Sequence, residues 1–276
     1  MKTIIVAMDF SKGALNALNY AIDVALMTES EVIMLWVDSS IEGKFPGEKN
    51  EIRNDAKIEL KTIIDTRTSE HEALQISYKL KKGKVYQEIA SLAKNVDADL
   101  VIVGTHGIGG FEEFWVGSNT FKIISYSPCP VISVRTDFVL GGSIKKIILP
   151  IDDSFETTKK VPMAAKIAQA FKADILILRI YESELPSIRK KTDVYVKDTI
   201  RFLKTKSINV EEAPCSSNNI PKSIVKYAEK AEADLIVIMT DQDKATSDII
   251  MGMNSQQIIN RSSIPILSVK PDKMEF

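Results

Sequence analysis

Lys2–Asp9 reads KTIIVAMD and Lys145–Asp152 reads KKIILPID. Each is an apolar run of strand length closed by an acidic residue, and the second repeats the first at a displacement of 143 positions. Two further pairs extend the repeat. ADLVIVGT (Ala98–Thr105) matches ADLIVIMT (Ala233–Thr240), and SPCPVISVR (Ser127–Arg135) matches SSIPILSVK (Ser262–Lys270), both displaced by 135. The second copy is therefore shorter by 8 residues between its first and fourth strands, and IEGKFPGEKN (Ile41–Asn50) is where the first copy looks longer. So long a period marks a duplicated domain and not a solenoid. The seam falls near Thr136–Ser143, where DFVLGGS supplies two glycines, which gives domains at 1–138 and 143–276.

Within the first copy, strand and helix patterns alternate. Strands are expected at Thr3–Met8, Glu31–Val37, Leu74–Leu80, Leu100–Val103 and Val131–Arg135. Helical spacing of apolar residues predicts Gly13–Met27 (Leu15, Leu18, Ile22, Leu26), with Ser11 as its N-cap, and Ile52–Thr66 (Ile52, Ala56, Leu60, Ile63). Further helices are expected at Val85–Asn95 and Ser118–Ser125, and the second copy follows the same order. Nearly continuous apolar strands separated by helices imply a parallel sheet covered on both faces, an α/β doubly wound fold in each half.

The bulk composition narrows the function classes. The chain has 276 residues, 45% hydrophobic and 26% charged, with a formal net charge of −1. Nothing in that balance argues for a nucleic-acid or anionic-membrane partner. The short basic group Lys79, Lys81, Lys82 and Lys84 reads as a solvated strand end. The two cysteines, Cys129 and Cys215, have neither metal nor CxxC spacing and are expected to be inert thiols. The apolar run at the N-terminus is too short for a signal-peptide core and is interrupted by Asp9. No apolar stretch reaches the roughly 18 residues of a membrane span. The expected location is the cytoplasm.

In an open parallel sheet, ligands sit beyond the carboxyl ends of the strands. The residues there are Met8-Asp9-Phe10-Ser11 after the first strand, Trp36-Val37-Asp38 after the second, and GTHGIGGFEEFWVGSN (Gly104–Asn119) after the fourth. Gly104, Gly107 and Gly117-Ser118 form the pattern G-x2-G-x9-G-S. Glycines allow close approach of amides to an anion, and a helix opening at Gly117-Ser118 would offer free N–H groups and a positive dipole end to phosphate. There is no GK[ST], so this is not a Walker loop. The Gly107-Ile108-Gly109 stretch lacks the third glycine of a dinucleotide fingerprint because position 112 is Glu. A turn without a ligand is the bland alternative.

These residues give the chain its family likeness. VAMDFS, VGTHGIGG, the G-x2-G-x9-G-S spacing and PCPVISVR resemble the universal stress proteins in their tandem two-domain form, over nearly the whole length. The resemblance implies two five-stranded parallel sheets of order 3-2-1-4-5, a Rossmann-like fold of the adenine nucleotide alpha hydrolase-like type. It implies binding of ATP, or of AMP or ADP, with Mg²⁺ as a candidate companion. Carried over by position, Asp9 would lie against the adenosine and Val37 would meet the adenine edge through its backbone. Gly104, Thr105 and Gly107 would line the ribose and phosphates, and Gly117, Ser118 and Asn119 would hold phosphate through amides and hydroxyl. Ala7, Met8 and Ser11 complete the binding set. Trp36 stands where the family often has His and is expected in the core. The family also implies pairing of Val131–Val134 with Ile266–Val269 within one chain, as a pseudo-dimer able to form a homodimer.

Several single residues have competing readings. Asp9 could cap the following helix, but Ser11 is better placed to do so, which favours a ligand role for Asp9. His106 reads first as a loop residue, with a phosphate contact or an acid role as the alternative. His71 reads as a surface residue near a helix end. The second copy has lost the motif: Met239, Gln242 and Gly252-Met253-Asn254 stand at the matching positions. Asp241, Asp243 and Asp248 would sit where a triphosphate must lie and would repel it. ATP binding of this kind is therefore not expected in the second domain, which reads as a packing partner or as a site for another ligand.

The leading expectation is an ATP-binding regulatory or stress-response protein that is not an efficient enzyme and has no catalytic residues to name. Phosphoryl transfer needs Mg²⁺ ligands and a positioned water or base. Asp38 and Glu112 are candidates only by proximity, and slow hydrolysis stays open. One alternative is an adenylyl-transferring ligase, whose usual HxGH or SGGxDS loops are absent. Another is a module that binds a small apolar or anionic metabolite in the second domain.

Overall fold

The computed structural model describes residues 1–39, 46–105, 117–139, 143–240 and 252–270. The chain divides into two compact units, Met1–Val139 and Leu140–Phe276. The first unit runs β1 (Thr3–Met8), α1 (Lys12–Thr28), β2 (Glu31–Asp38), α2 (Pro46–Glu70), β3 (Ile76–Lys82), α3 (Val85–Asn95), β4 (Leu100–Gly104), α4 (Ser118–Tyr126) and β5 (Val131–Val134). Its sheet is parallel, in the order β3-β2-β1-β4-β5. The central strands β1, β2 and β4 are buried along nearly their whole length, with Ile4, Ile5, Met34, Leu35, Leu100 and Ile102 at 1% exposure or less. Each such side chain contributes about 1.5–3 kcal/mol by leaving water.

Local chemistry explains the elements that flank the site. Ser11 caps α1 by accepting the Ala14 N–H at 3.2 Å, which satisfies one of the helix's four orphan donors. The buried side of α1 is dominated by small residues, Ala14, Ala17, Ala21 and Ala25, together with Leu18 and Ile22. Leu15, expected from its spacing to lie with the apolar stripe, is 36% exposed. Alanines on the buried side let the helix axis approach the sheet closely, and this decides how near α1 comes to β4.

The second unit repeats the plan with β6 (Lys146–Ile151), α5 (Val161–Phe171), β7 (Asp174–Tyr181), α6 (Pro186–Thr205), β8 (Val210–Ser216), α7 (Ile220–Lys230), β9 (Leu235–Met239), α8 (Met253–Arg261) and β10 (Ile266–Val269). Its parallel order is β8-β7-β6-β9-β10, the same 3-2-1-4-5 order counted within the unit. The two units share small devices. The Asp99 carboxylate accepts the Lys2 N–H at 2.6 Å and the Thr3 N–H at 3.3 Å, and Asp234 accepts those of Lys145 and Lys146 at 2.7 and 2.9 Å. Each ties the start of its first strand to the turn before the fourth.

They differ in two places. The helix after the second strand is 25 residues long in the first unit and 20 in the second, which carries part of the length difference seen in the repeat. Where α1 follows β1 after a short turn, the second unit has a six-residue 3-10 turn, Phe155–Lys160, and only then α5. Pro150 in β6 has no N–H to give. The β6–β9 ladder registers only Ile147 and Ile148, so the proline falls beyond it. Among the described residues no helix is long and apolar enough to cross a membrane.

Candidate functional site

β1 pairs with both β2 and β4, so the carboxyl ends of these three strands lie side by side. Met8 registers with Trp36, which brings Asp9 next to the end of β2. Ala7 and Asp9 are partly exposed while Met8 is buried. The Asp9 Oδ1 accepts the Ser11 N–H at 3.0 Å, and Phe10 between them is held at φ +62°. A non-glycine residue in that region is uncommon and carries a local cost. Asp9 thus shapes the turn that delivers Ser11 to its capping position, and it is Ser11 that caps. Val37 is partly exposed, in register with Lys81 of β3. Trp36 is 9% exposed, and Asp38 is buried.

Gly104 ends β4 against the opening turn of α1. A Cβ placed there would lie 2.6 Å from both the carbonyl carbon and the oxygen of Gly13, and 3.0 Å from the Ala14 nitrogen. These are backbone atoms and cannot swing away, so Gly104 is required by packing whatever else it does. Thr105 is buried, with its N–H on the Val134 carbonyl at 3.0 Å. Its own carbonyl accepts the Gly117 N–H at 2.9 Å, and Thr120 Oγ1 donates to the Gly104 carbonyl at 3.1 Å. Two hydrogen bonds therefore fasten the first turn of α4 to the end of β4.

Gly117 is a different kind of glycine. It is the N-cap of α4 at φ −57°, ψ 144°, which any residue adopts, and an added Cβ would make only an ordinary 3.6 Å contact with the Thr105 carbonyl oxygen. Neither backbone conformation nor packing demands a glycine here. No side chain caps α4, and Ser118 and Asn119 in its first turn are exposed. The Gly117 N–H is given to the Thr105 carbonyl. The Thr120 N–H goes to the Gly117 carbonyl at 3.0 Å, so among the described residues the amides left at this helix start are those of Ser118 and Asn119. The structure thus brings Asp9, Ser11, Gly104, Thr105, Gly117, Ser118 and Asn119 to one end of the sheet. Gly107, His106 and Glu112 lie outside the described residues, as do Asp241, Gln242, Asp243 and Asp248.

In the second unit the corresponding end of the sheet is rebuilt. Asp152 Oδ1 accepts both the N–H (2.8 Å) and the hydroxyl of Ser154. Met239 occupies the Gly104 position and is 8% exposed. The 3-10 turn stands where the first turns of α1 would be, and Thr157 and Lys160 come from it. The Thr157 hydroxyl oxygen accepts the Asp152 N–H at 3.2 Å and the Lys160 Nζ at 2.9 Å. Thr157 and Lys160 are 0% and 3% exposed. Burying an ammonium is costly without hydrogen bonds, and this one has Thr157. A cavity of about 240 Å³ opens here, its lining drawn from β6, β7, β9, α7 and α8 and including Lys160 and Met239. The sequence reading missed this pair, although it carries a signal: at the 143-residue displacement, Thr157 falls on Ala14 and Lys160 on Ala17, both buried apolar positions of α1.

Two Rossmann-like parallel sheets in tandem, each with strand ends open to a candidate site, define a duplicated α/β protein. The model of the universal stress protein family matches residues 1–135 and again 143–270, and the chain belongs to that family in its tandem two-domain form. A putative universal stress protein of Staphylococcus saprophyticus is 30% identical over 167 residues, covering 49% of this chain and 84% of its own length. Universal stress protein YxiE of Bacillus subtilis is 30% identical over 143 residues, covering 48% of this chain and 97% of its own. The crystal structure of a universal stress protein from Archaeoglobus fulgidus superposes on 98% of each chain with a TM-score of 0.78 at 18% identity, a likeness of fold.

Proposed function

We propose that the chain is a stress-response regulatory protein that binds ATP, or AMP or ADP, in its first unit and does not hydrolyse it efficiently. The observation that carries this reading is Gly117, a glycine with room for a side chain and no backbone reason to lack one, at the uncapped start of a helix. Such a position suits close approach of an anion to first-turn amides and to the positive end of the helix dipole. Asp9 and Val37 flank the adjoining strand ends, where the nucleoside would lie, with Ala7, Met8, Ser11, Gly104 and Thr105 forming the floor. Phosphates would meet Ser118 and Asn119, with Mg²⁺ as their companion. Without a Walker lysine in the loop, binding and release are the expected cycle, and turnover is slow. The second unit is not expected to take ATP in this manner, because Met239 fills the strand end and Lys160 and Thr157 stand where α1 would begin.

Calorimetric titration of ATP and Mg²⁺ into the full chain, stripped of co-purified nucleotide, tests the reading. One site per chain is expected. Absence of binding by the folded protein would refute it, and two equivalent sites would refute the assignment to the first unit.

A further inference from the structure

The cavity at the strand ends of the second unit has a composition unlike a phosphate cradle. One wall is aliphatic: Ile180 of β7, Ile238 of β9, Ile220 and Ile224 of α7, and Ile258 of α8 line it. The polar part of the lining carries both signs. The buried Lys160 is among its residues, and so are Asp152, Asp153 and Glu182. Two helices also open onto the cavity: Ile220 and Pro221 are the first residues of α7, and Asn254 and Ser255 belong to the first turn of α8. Their N-terminal dipole ends favour negative charge in the cavity.

Charge and size select among ligands. Among the described residues of the lining, three acidic side chains against one lysine disfavour a polyanion, since like charges a few ångströms apart repel strongly at low dielectric. A purely cationic ligand would leave Lys160 and the two helix starts opposed to it. A ligand with no charge would strip water from the charged residues of the lining and put nothing charged in its place, which costs free energy. A molecule with one negative and one positive group on an aliphatic body satisfies all three features. A volume of about 240 Å³ is below the usual range of about 300–1,000 Å³ for pockets that hold drug-sized ligands, so the body is small.

We infer that this cavity is a second ligand site, separate from the first unit's nucleotide site, and that it takes a small zwitterion with an aliphatic body, of which an aliphatic amino acid is the simplest kind. Its carboxylate faces Lys160 and the start of α8, its ammonium faces Asp153 and Glu182, and its aliphatic part rests on the isoleucine wall. The inference does not depend on nucleotide binding in the first unit.

The test is a calorimetric and thermal-shift panel on the full chain at millimolar ligand. The panel contains L-leucine, L-isoleucine and L-valine, with 4-methylpentanoate (no ammonium) and isopentylamine (no carboxylate) as controls. Saturable binding of at least one amino acid is expected, with each control weaker by about tenfold or more, since each loses a charge-assisted contact. Lys160→Met and Asp153→Asn should each weaken the amino acid by a similar factor. Ile220→Trp, a substitution at a partly exposed helix start that would crowd the cavity, should abolish binding even where Lys160→Met proves unstable. Gly117→Asp should leave amino-acid binding unchanged. No binding by any amino acid of the panel overturns the inference, as does binding of the controls with equal strength, or binding that survives Ile220→Trp.

Discussion

Replacing Gly117 by Asp separates two effects that most site substitutions confound. At φ −57° and ψ 144° the residue sits in the conformation of an N-cap, and the new Cβ meets only an ordinary contact at 3.6 Å. Aspartate is among the best N-cap residues and gains a few tenths of a kcal/mol over glycine, with about 0.3–1 kcal/mol more from a negative charge at the helix start. The variant should therefore melt at or above the wild-type temperature. The same carboxylate would stand beside the phosphates. A single charge pair at about 5 Å and an effective dielectric constant of about 20 is worth about 3 kcal/mol, or about 200-fold in Kd. Gly117→Asn, of similar shape and capping power but uncharged, should lose much less. Calorimetry with ATP and Mg²⁺ beside a thermal melt reads both quantities. An Asp variant as stable as wild type that binds ATP with undiminished affinity would refute the placement of phosphate at α4, and with it the argument drawn from this glycine.

Gly104→Ala drives a Cβ to within 2.6 Å of the Gly13 backbone and should cost about 1–3 kcal/mol in urea unfolding, while Met239→Ala at the matching position opens a hole and should cost about 2–5 kcal/mol; a silent Gly104→Ala would contradict the described packing. Asn16 Nδ2 donates to the carbonyls of Arg135 (2.8 Å) and Phe138 (2.6 Å), so Asn16→Ala should loosen the segment after β5 and speed tryptic cleavage at Arg135, with a loss of about 1–2 kcal/mol. Burial pushes the Cys129 thiol up to about 11. At pH 8 only about one such thiol in a thousand is ionised, so alkylation should be slow and accelerate about tenfold per pH unit toward that value; rapid labelling at pH 8 in the folded protein would contradict it.

Much of the architecture is legible from the chain because each copy obeys simple periodicity. β1 and α3 lie where their patterns place them, at Thr3–Met8 and Val85–Asn95. Failures occur where a polar or breaking residue is recruited into an element. α2 begins at Pro46, six residues before the expected Ile52, since a proline in the first turn reads as a loop signal although its missing N–H costs nothing there. β3 runs to Lys82 and not to Leu80 because an outer strand tolerates lysines. The second copy's expected first helix becomes a 3-10 turn followed by an 11-residue α5.

The candidate site is legible as a location and less so as chemistry. The glycine spacing points to the strand ends, but cannot show that Gly104 serves the approach of α1 while Gly117 answers no such demand. That distinction lives in the distance from an absent Cβ to its neighbours. Lys160 and Thr157 were hidden for a related reason: each is ordinary as a residue type and becomes informative only when laid against Ala17 and Ala14 of the other copy.

The outer strands have a consequence for how copies of this protein meet. β3 carries Lys79, Lys81 and Lys82, whereas β8 carries Glu211 and Glu212 and includes Pro214. A β3 edge approaching another β3 sets ammonium against ammonium, and two β8 edges set carboxylate against carboxylate. Each margin thus refuses its own kind at low ionic strength. The lysine margin of one copy and the glutamate margin of another attract instead, so any edge-to-edge meeting in dilute buffer should join unlike margins, and salt should weaken that preference.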